Sequence, residues 1–196
     1  DMTVGSPARV ILNFTIPIFI GNIFQQLYNM ADAVIVGKFV GPNALAAVGS
    51  CGTLMFLIIG FLQGLTAGFT VITAQHFGAG NMKAMRQSVA SAYILSAVVS
   101  VIMTVLSMSM MKQILGWMNT PPEIYSEAYG YIMVICAGIV AQVLYNLLAS
   151  ILRALGNSMV PVFFLILGAF LNVVLDLVFI IVFHMGAAGA AYATVI

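Results

Sequence analysis

Charge is what this sequence has least of. Six Lys or Arg and five Asp or Glu make up 6% of 196 residues, where a soluble domain carries about a quarter. That is too little polar surface for a water-soluble fold. A formal net charge of +1 provides no basic footprint, which excludes nucleic acid as a partner. Cysteine is nearly absent as well. Cys51 and Cys136 both fall inside apolar runs, so there is no disulfide framework and the pair reads as small packing residues. Neither G-x-x-x-x-G-K-[ST] nor H-E-x-x-H occurs, which removes ATP binding by that loop and the commonest zinc protease site. Two aspartates do lie in apolar runs, as Met-Ala-Asp32 and Val-Leu-Asp176. Those contexts differ from the Tyr-Asp and Gly-x-Gly-Asp of intramembrane aspartyl proteases. The expectation is a protein that is not an enzyme and holds no cofactor.

What fills the chain is apolar. Hydrophobic residues are 63% of it and the mean hydropathy is +1.15, the composition of an integral membrane protein. The runs are continuous rather than alternating, which excludes a transmembrane β-barrel and predicts an all-α, polytopic helical bundle. Five complete spans and the start of a sixth are expected at roughly 11–36, 45–76, 88–116, 123–152, 158–183 and 187 onward. The first is too long and too polar for a cleavable signal peptide. The sixth, GAAGAAYATVI, is too short to cross, so the chain is expected to stop inside a helix. No domain boundary is visible. With the N-terminus cytoplasmic, the inner loops hold Arg9, Lys83, Arg86 and Arg153, and the outer loops Lys38 and Lys112. The excess of basic residues favours that orientation. Arg153, Lys83 and Arg86 then read as topology signals. Gly60, Gly64 and Gly68 form small-xxx-small steps that predict close helix contact. Pro17 and Pro161 predict kinks in the first and fifth helices, Pro17 being a candidate hinge.

The polar residues left inside the spans are ordered. Asn22, Gln25, Asn29 and Asp32 share one face of helix one, and Gln63, Thr66, Thr70 and Thr73 one face of helix two. Gln142, Asn146 and Ser150 do the same in helix four, and Asn172 and Asp176 in helix five. At a rise of 1.5 Å per residue, Asp32 lies about 8 Å below the outer end of its helix, and Asp176, Tyr131 and Thr194 about 12 Å below theirs. Asp32, Tyr131, Asn172, Asp176 and Thr194 are therefore expected to meet in one polar chamber. Asn22, Gln25, Asn29, Gln63 and Thr66 are the candidate lining of a substrate cavity. A charge at membrane depth costs a few kcal/mol or more and faces a cavity or a partner. Two carboxylates in a low-dielectric site resist double ionisation, so they share a proton or hold a metal cation such as Na+ between Asp32, Asp176 and Asn172. Without an ATP site, uphill transport would draw on an ion gradient.

The run PIFIGNIFQQLYNMADAVIVGKFVGPNALAAVG, from Pro17 to Gly49, closely resembles the first helix and outer loop of the multidrug and toxic compound extrusion (MATE) family. The resemblance continues through GLTAGFTVITAQHFGAG, ILRALGNSMVP, LNVVLD and GAAGAAYAT. It implies a twelve-helix transporter of two six-helix lobes, of which this chain is the N-terminal one with its sixth helix cut short. It also implies export of organic, often cationic, compounds against inward H+ or Na+ flow. Asp32 matches the family's helix-one aspartate, Asn172 and Asp176 the helix-five pair, Thr194 the helix-six threonine and Pro17 the helix-one proline. Tyr131 matches less closely, and His76 departs from the Tyr of many relatives.

The expected function is a cation-coupled antiporter of the cell's inner (plasma) membrane, working by alternating access. Its partners would be the bilayer, small organic cations or drugs, and the missing C-terminal lobe. Two rivals remain. A flippase for lipid-linked precursors would favour basic cavity residues, and no cavity Arg or Lys is legible. A non-transporting scaffold predicts no cation-dependent stability.

Overall fold

The computed structural model describes residues 6–196 and turns the apolar runs into helices punctuated by proline, glycine and asparagine. They are α1 Pro7–Phe39, α2 Pro42–Gly78, α3 Met82–Trp117, α4 Pro122–Ala137, α5 Ile139–Ala154, α6 Met159–Leu177 and α7 Gly186–Val195. A π-helical turn, Val178–Val182, extends α6. No strand occurs among the described residues, and the fold is an all-α bundle. Proline opens α1, α2 and α4, where its missing N–H would have had no helical acceptor. Gly41, at φ +125°, makes the tight α1–α2 turn in a conformation L side chains avoid. Asn81 Oδ1 accepts from Ala84 N at 3.1 Å and caps α3.

Three expectations need correction. The single span expected at 123–152 is two helices, α4 and α5, bent by 48° at Gly138. A Cβ there would overlap the Val195 side chain, so the glycine lets α7 approach the break. Pro161 is not interior: it is the third residue of α6, where a missing N–H leaves no helical bond unmade and imposes no kink. Gly60, Gly64 and Gly68 meet nothing within 4 Å of an added Cβ; they line an open face of α2 rather than a close helix contact. Among the described residues, α2, α3 and α6 with its π turn are each long and apolar enough to cross a membrane, and the bent α4–α5 pair makes a fourth such span. α1, at 33 residues, also has the length to cross a membrane. It runs unbroken through the buried Pro17.

α1 lies along α6, α2 against α5, α3 and α4, and α4 against α7. The core gathers Val36, Ala47, Cys51, Met111, Leu115, Ala128, Ile132 and the fully buried Ala187, Ala190 and Ala191. Alanines on that face of α7 let it sit close to α4. The outside is as apolar as a core: Phe56 is 82% and Phe170 71% exposed, while polar Thr66, Thr73, Ser100 and Asp176 are buried. That is the arrangement lipid requires.

Glu127, in the second turn of α4, holds the start of α7. Its Oε2 accepts from Ala187 N at 3.2 Å, supplying an acceptor and a negative charge to the first turn of α7. Glu127→Ala is expected to cost about 1–2 kcal/mol in thermal unfolding, and Glu127→Gln, which keeps an acceptor oxygen, less than half of that.

Candidate functional site

α6 presents Asn172 and Asp176 one turn apart, at 6% and 0% exposure. α1, packed along it, brings the half-buried Asp32; α4 brings the buried Tyr131; α7 brings Thr194. Asp32, Asp176 and the Tyr131 hydroxyl lie within electrostatic range of one another. Tyr28, one turn before Asp32, joins them; sequence reasoning missed it, although its i, i+4 spacing to Asp32 was the available signal. Thr194 Oγ1 donates to Ala190 O at 2.9 Å. Its lone pairs are left to accept, and Asn172 Nδ2 donates to it at the long distance of 3.5 Å. The structure thus brings Asp32, Tyr131, Asn172, Asp176 and Thr194 to one region, on the half of the bundle that carries the α3–α4 turn.

What distinguishes this region is unmet acceptors. Asp32 Oδ1, Asn172 Oδ1 and both carboxylate oxygens of Asp176 are buried with no hydrogen-bond partner. Buried polar atoms are nearly always paired, and an unpaired buried carboxylate is among the costliest groups a fold can hold. Among the described residues no Lys, Arg or His pairs with either aspartate. No group of three or more His, Cys, Asp or Glu comes together among the described residues, so the donor set is two carboxylates with amide and hydroxyl oxygens. Such hard oxygens suit a proton or a hard cation and not a soft metal.

A second feature opens on the other half of the bundle. A cavity of about 320 Å³ lies between α1, α2, α5 and α6. Asn22, Gln25 and Gln63, expected to line a cavity, do line it, together with Asn146, Ser150 and Arg153. Asn29 and Thr66 do not. Asn29 is exposed and donates to Gln26 Oε1 at 3.2 Å. Thr66 is buried and turns back onto its own helix, donating to Leu62 O and Gln63 O at 3.0 Å, the usual recourse of a mid-helix threonine. Arg153, read as a topology signal, is half-buried in the cavity wall. The expectation of no basic cavity residue is therefore corrected: α5 ends there, and its last turn points the side chain inward.

A helical membrane bundle with a polar cavity and orphaned carboxylates at depth defines the class of membrane transporters. The comparisons are specific. The MatE family profile matches residues 17–178. The probable multidrug resistance protein YpnP of Bacillus subtilis is 30% identical over 196 residues, all of this chain and 44% of that protein. The fold matches the outward-facing conformation of a multidrug resistance MATE family transporter with a TM-score of 0.92 at 33% identity, over 97% of this chain and 42% of that one. A MOP superfamily transporter from Pyrococcus furiosus, for which a binding pocket of reversed polarity is described, matches with a TM-score of 0.91 at 33% identity and the same coverage. The chain belongs to the MATE family of membrane transporters. It spans less than half the length of the relatives it matches.

Proposed function

We propose that this chain is the N-terminal lobe of a cation-coupled exporter of drugs or other organic, often cationic, compounds. The four partnerless buried oxygens of Asp32, Asn172 and Asp176 carry the reading, because they need a positive charge that no side chain beside them supplies. An H+ or Na+ ion would neutralise the aspartates, weaken their hold on a cationic cargo and favour one of two lobe arrangements. Coupling asks only that the ion bind those arrangements differently. Tyr131 and Thr194 would complete the ion's surroundings. Pro17, which leaves the Asn13 carbonyl without its helical donor, would absorb the change in α1. The names of the relatives, probable multidrug resistance proteins, support drugs as cargo. The basic residues of the loops support an N-terminus on the cytoplasmic side of the plasma membrane.

Sodium titration of thermal stability tests the ion site directly. A ligand at a hundredfold excess over its Kd stabilises by about 2.7 kcal/mol, so NaCl should raise the unfolding midpoint by roughly 5–10 °C. Choline chloride at equal ionic strength should not, and Asp176→Asn should remove the response. An H+-coupled site would instead be stabilised by lowering the pH, again only while Asp32 and Asp176 are present. A midpoint indifferent to Na+ and pH would favour a scaffold. A flippase for lipid-linked precursors is a second reading, favoured by Arg153 in the cavity wall.

A further inference from the structure

The cavity between α1, α2, α5 and α6 has one electrical character. Among the described residues, Arg153 is the only formally charged one lining it. Around it stand the amides of Asn22, Gln25, Gln63 and Asn146 and the hydroxyls of Ser150 and Ser158, with no carboxylate among them. Arg153 Nη2 donates to Ser150 Oγ at 3.0 Å, one of the five donors a guanidinium carries. Among the described residues no acid pairs with it; the titratable group that acts on it is the Tyr145 phenol. Asp32, Asp176, Glu123 and Glu127 belong to the other half of the bundle.

A second observation points the same way. The 19-residue α6 begins at this cavity, so its positive end faces the space. Ser158, the residue that precedes it, is buried at 5% exposure, lines the cavity and makes no capping bond; Asn157 Oδ1 accepts from Val160 N at 3.1 Å instead. The Ser158 hydroxyl is a free donor. Ile18, Val162 and Leu165 form an apolar wall beside these polar groups.

The geometry points to an oxoanion site: the phosphate of an acidic phospholipid headgroup, bound by Arg153 with Ser150 and Ser158, its hydrocarbon lying along Ile18, Val162 and Leu165. A guanidinium binds a phosphate through paired N–H donors, and the start of a helix adds a favourable field. The site is separate from the aspartates and of opposite charge. It stands whether or not the ion-coupling reading does.

Binding of phosphatidylglycerol, phosphatidylcholine and inorganic phosphate to the purified chain in mild detergent tests it, read by native mass spectrometry and by thermal unfolding. Phosphatidylglycerol should bind and raise the unfolding midpoint, while phosphatidylcholine at the same concentration should do neither. Arg153→Gln should weaken phosphatidylglycerol about ten- to a hundredfold, the loss of hydrogen bonds to a charged group. Lys83→Gln, an exposed cation at the same end of the bundle, should leave the affinity unchanged. Protection by inorganic phosphate equal to that by the lipid, and lost in Arg153→Gln, would keep the site and assign it to a free oxoanion. Should Arg153→Gln fail to fold, Arg153→Lys and Ser158→Ala carry the test, and each should weaken binding severalfold. Undiminished phosphatidylglycerol binding in the folded Arg153 and Ser158 variants would overturn the proposal, as would the absence of any response to lipid and phosphate.

Discussion

Asp32→Asn and Asp176→Asn, introduced singly into the intact transporter, are each expected to reduce ion-driven efflux to less than about a tenth of the parental rate, with expression unchanged. Asparagine has the shape of a protonated carboxyl group, so each variant imitates the neutralised site permanently. It cannot take up an ion on one side of the membrane and release it on the other. A single lost charge–oxygen interaction of about 1.4 kcal/mol already gives tenfold, and hydrogen bonds to charged groups are worth about 1.5–3 kcal/mol. Efflux of a fluorescent organic cation from everted vesicles, driven by a Na+ or H+ gradient, measures the effect. Normal export by both variants would refute the assignment.

The same substitutions separate function from folding. Asp176 has two buried carboxylate oxygens without a partner, so asparagine, uncharged like the protonated acid, adds no charge-burial cost to the folded state. Asp176→Asn should therefore unfold no earlier than the parent when Na+ is absent and the pH is neutral. A transport defect combined with retained or raised stability separates a lost ion site from a damaged fold.

The residues that were legible were those whose chemistry conflicts with their surroundings. Asp32 and Asp176 stand out because a carboxylate in an apolar run is expensive wherever the helix ends fall. Asn22, Gln25 and Gln63 were legible as rows because helical spacing puts them on one face, and that face meets the cavity. Arg153 was not legible. A basic residue near a helix end has an ordinary explanation in loop charge, and its inward direction depends on how α5 meets α6. Glu127 was missed for a similar reason: its partner, Ala187 N, is 60 residues away. Thr66 and Asn29 obeyed the spacing rule and still satisfied themselves locally, so periodicity identifies a face without saying which of its members reach the cavity. The break at Gly138 was hidden by apolar residues on both sides, since a lone glycine in a helical pattern is a weak signal.

Gly138→Ala tests that break, and two opposing effects decide its sign. Gly138 has φ −80° and ψ −4°, which alanine adopts without strain, and alanine in a helix is favoured over glycine by roughly 0.5–1 kcal/mol. Against this, the new Cβ would overlap both γ-carbons of Val195 and lie 3.0 Å from Val195 Cβ. Rotating the valine relieves the first contact but not the second, so the last turn of α7 must move. Overpacking of this kind costs about 1–3 kcal/mol, so a net loss is expected, visible as an unfolding midpoint lowered by a few degrees. The movement should also reach the proposed ion site. Thr194 is the neighbour of Val195, and its bond from Asn172 is already 3.5 Å long; the variant should therefore respond more weakly to Na+. Val195→Ala in the same chain removes both valine γ-carbons and should recover part of the stability and of the Na+ response. A Gly138→Ala chain more stable than the parent would mean that helix propensity outweighs the contact and that α7 does not depend on glycine at the bend.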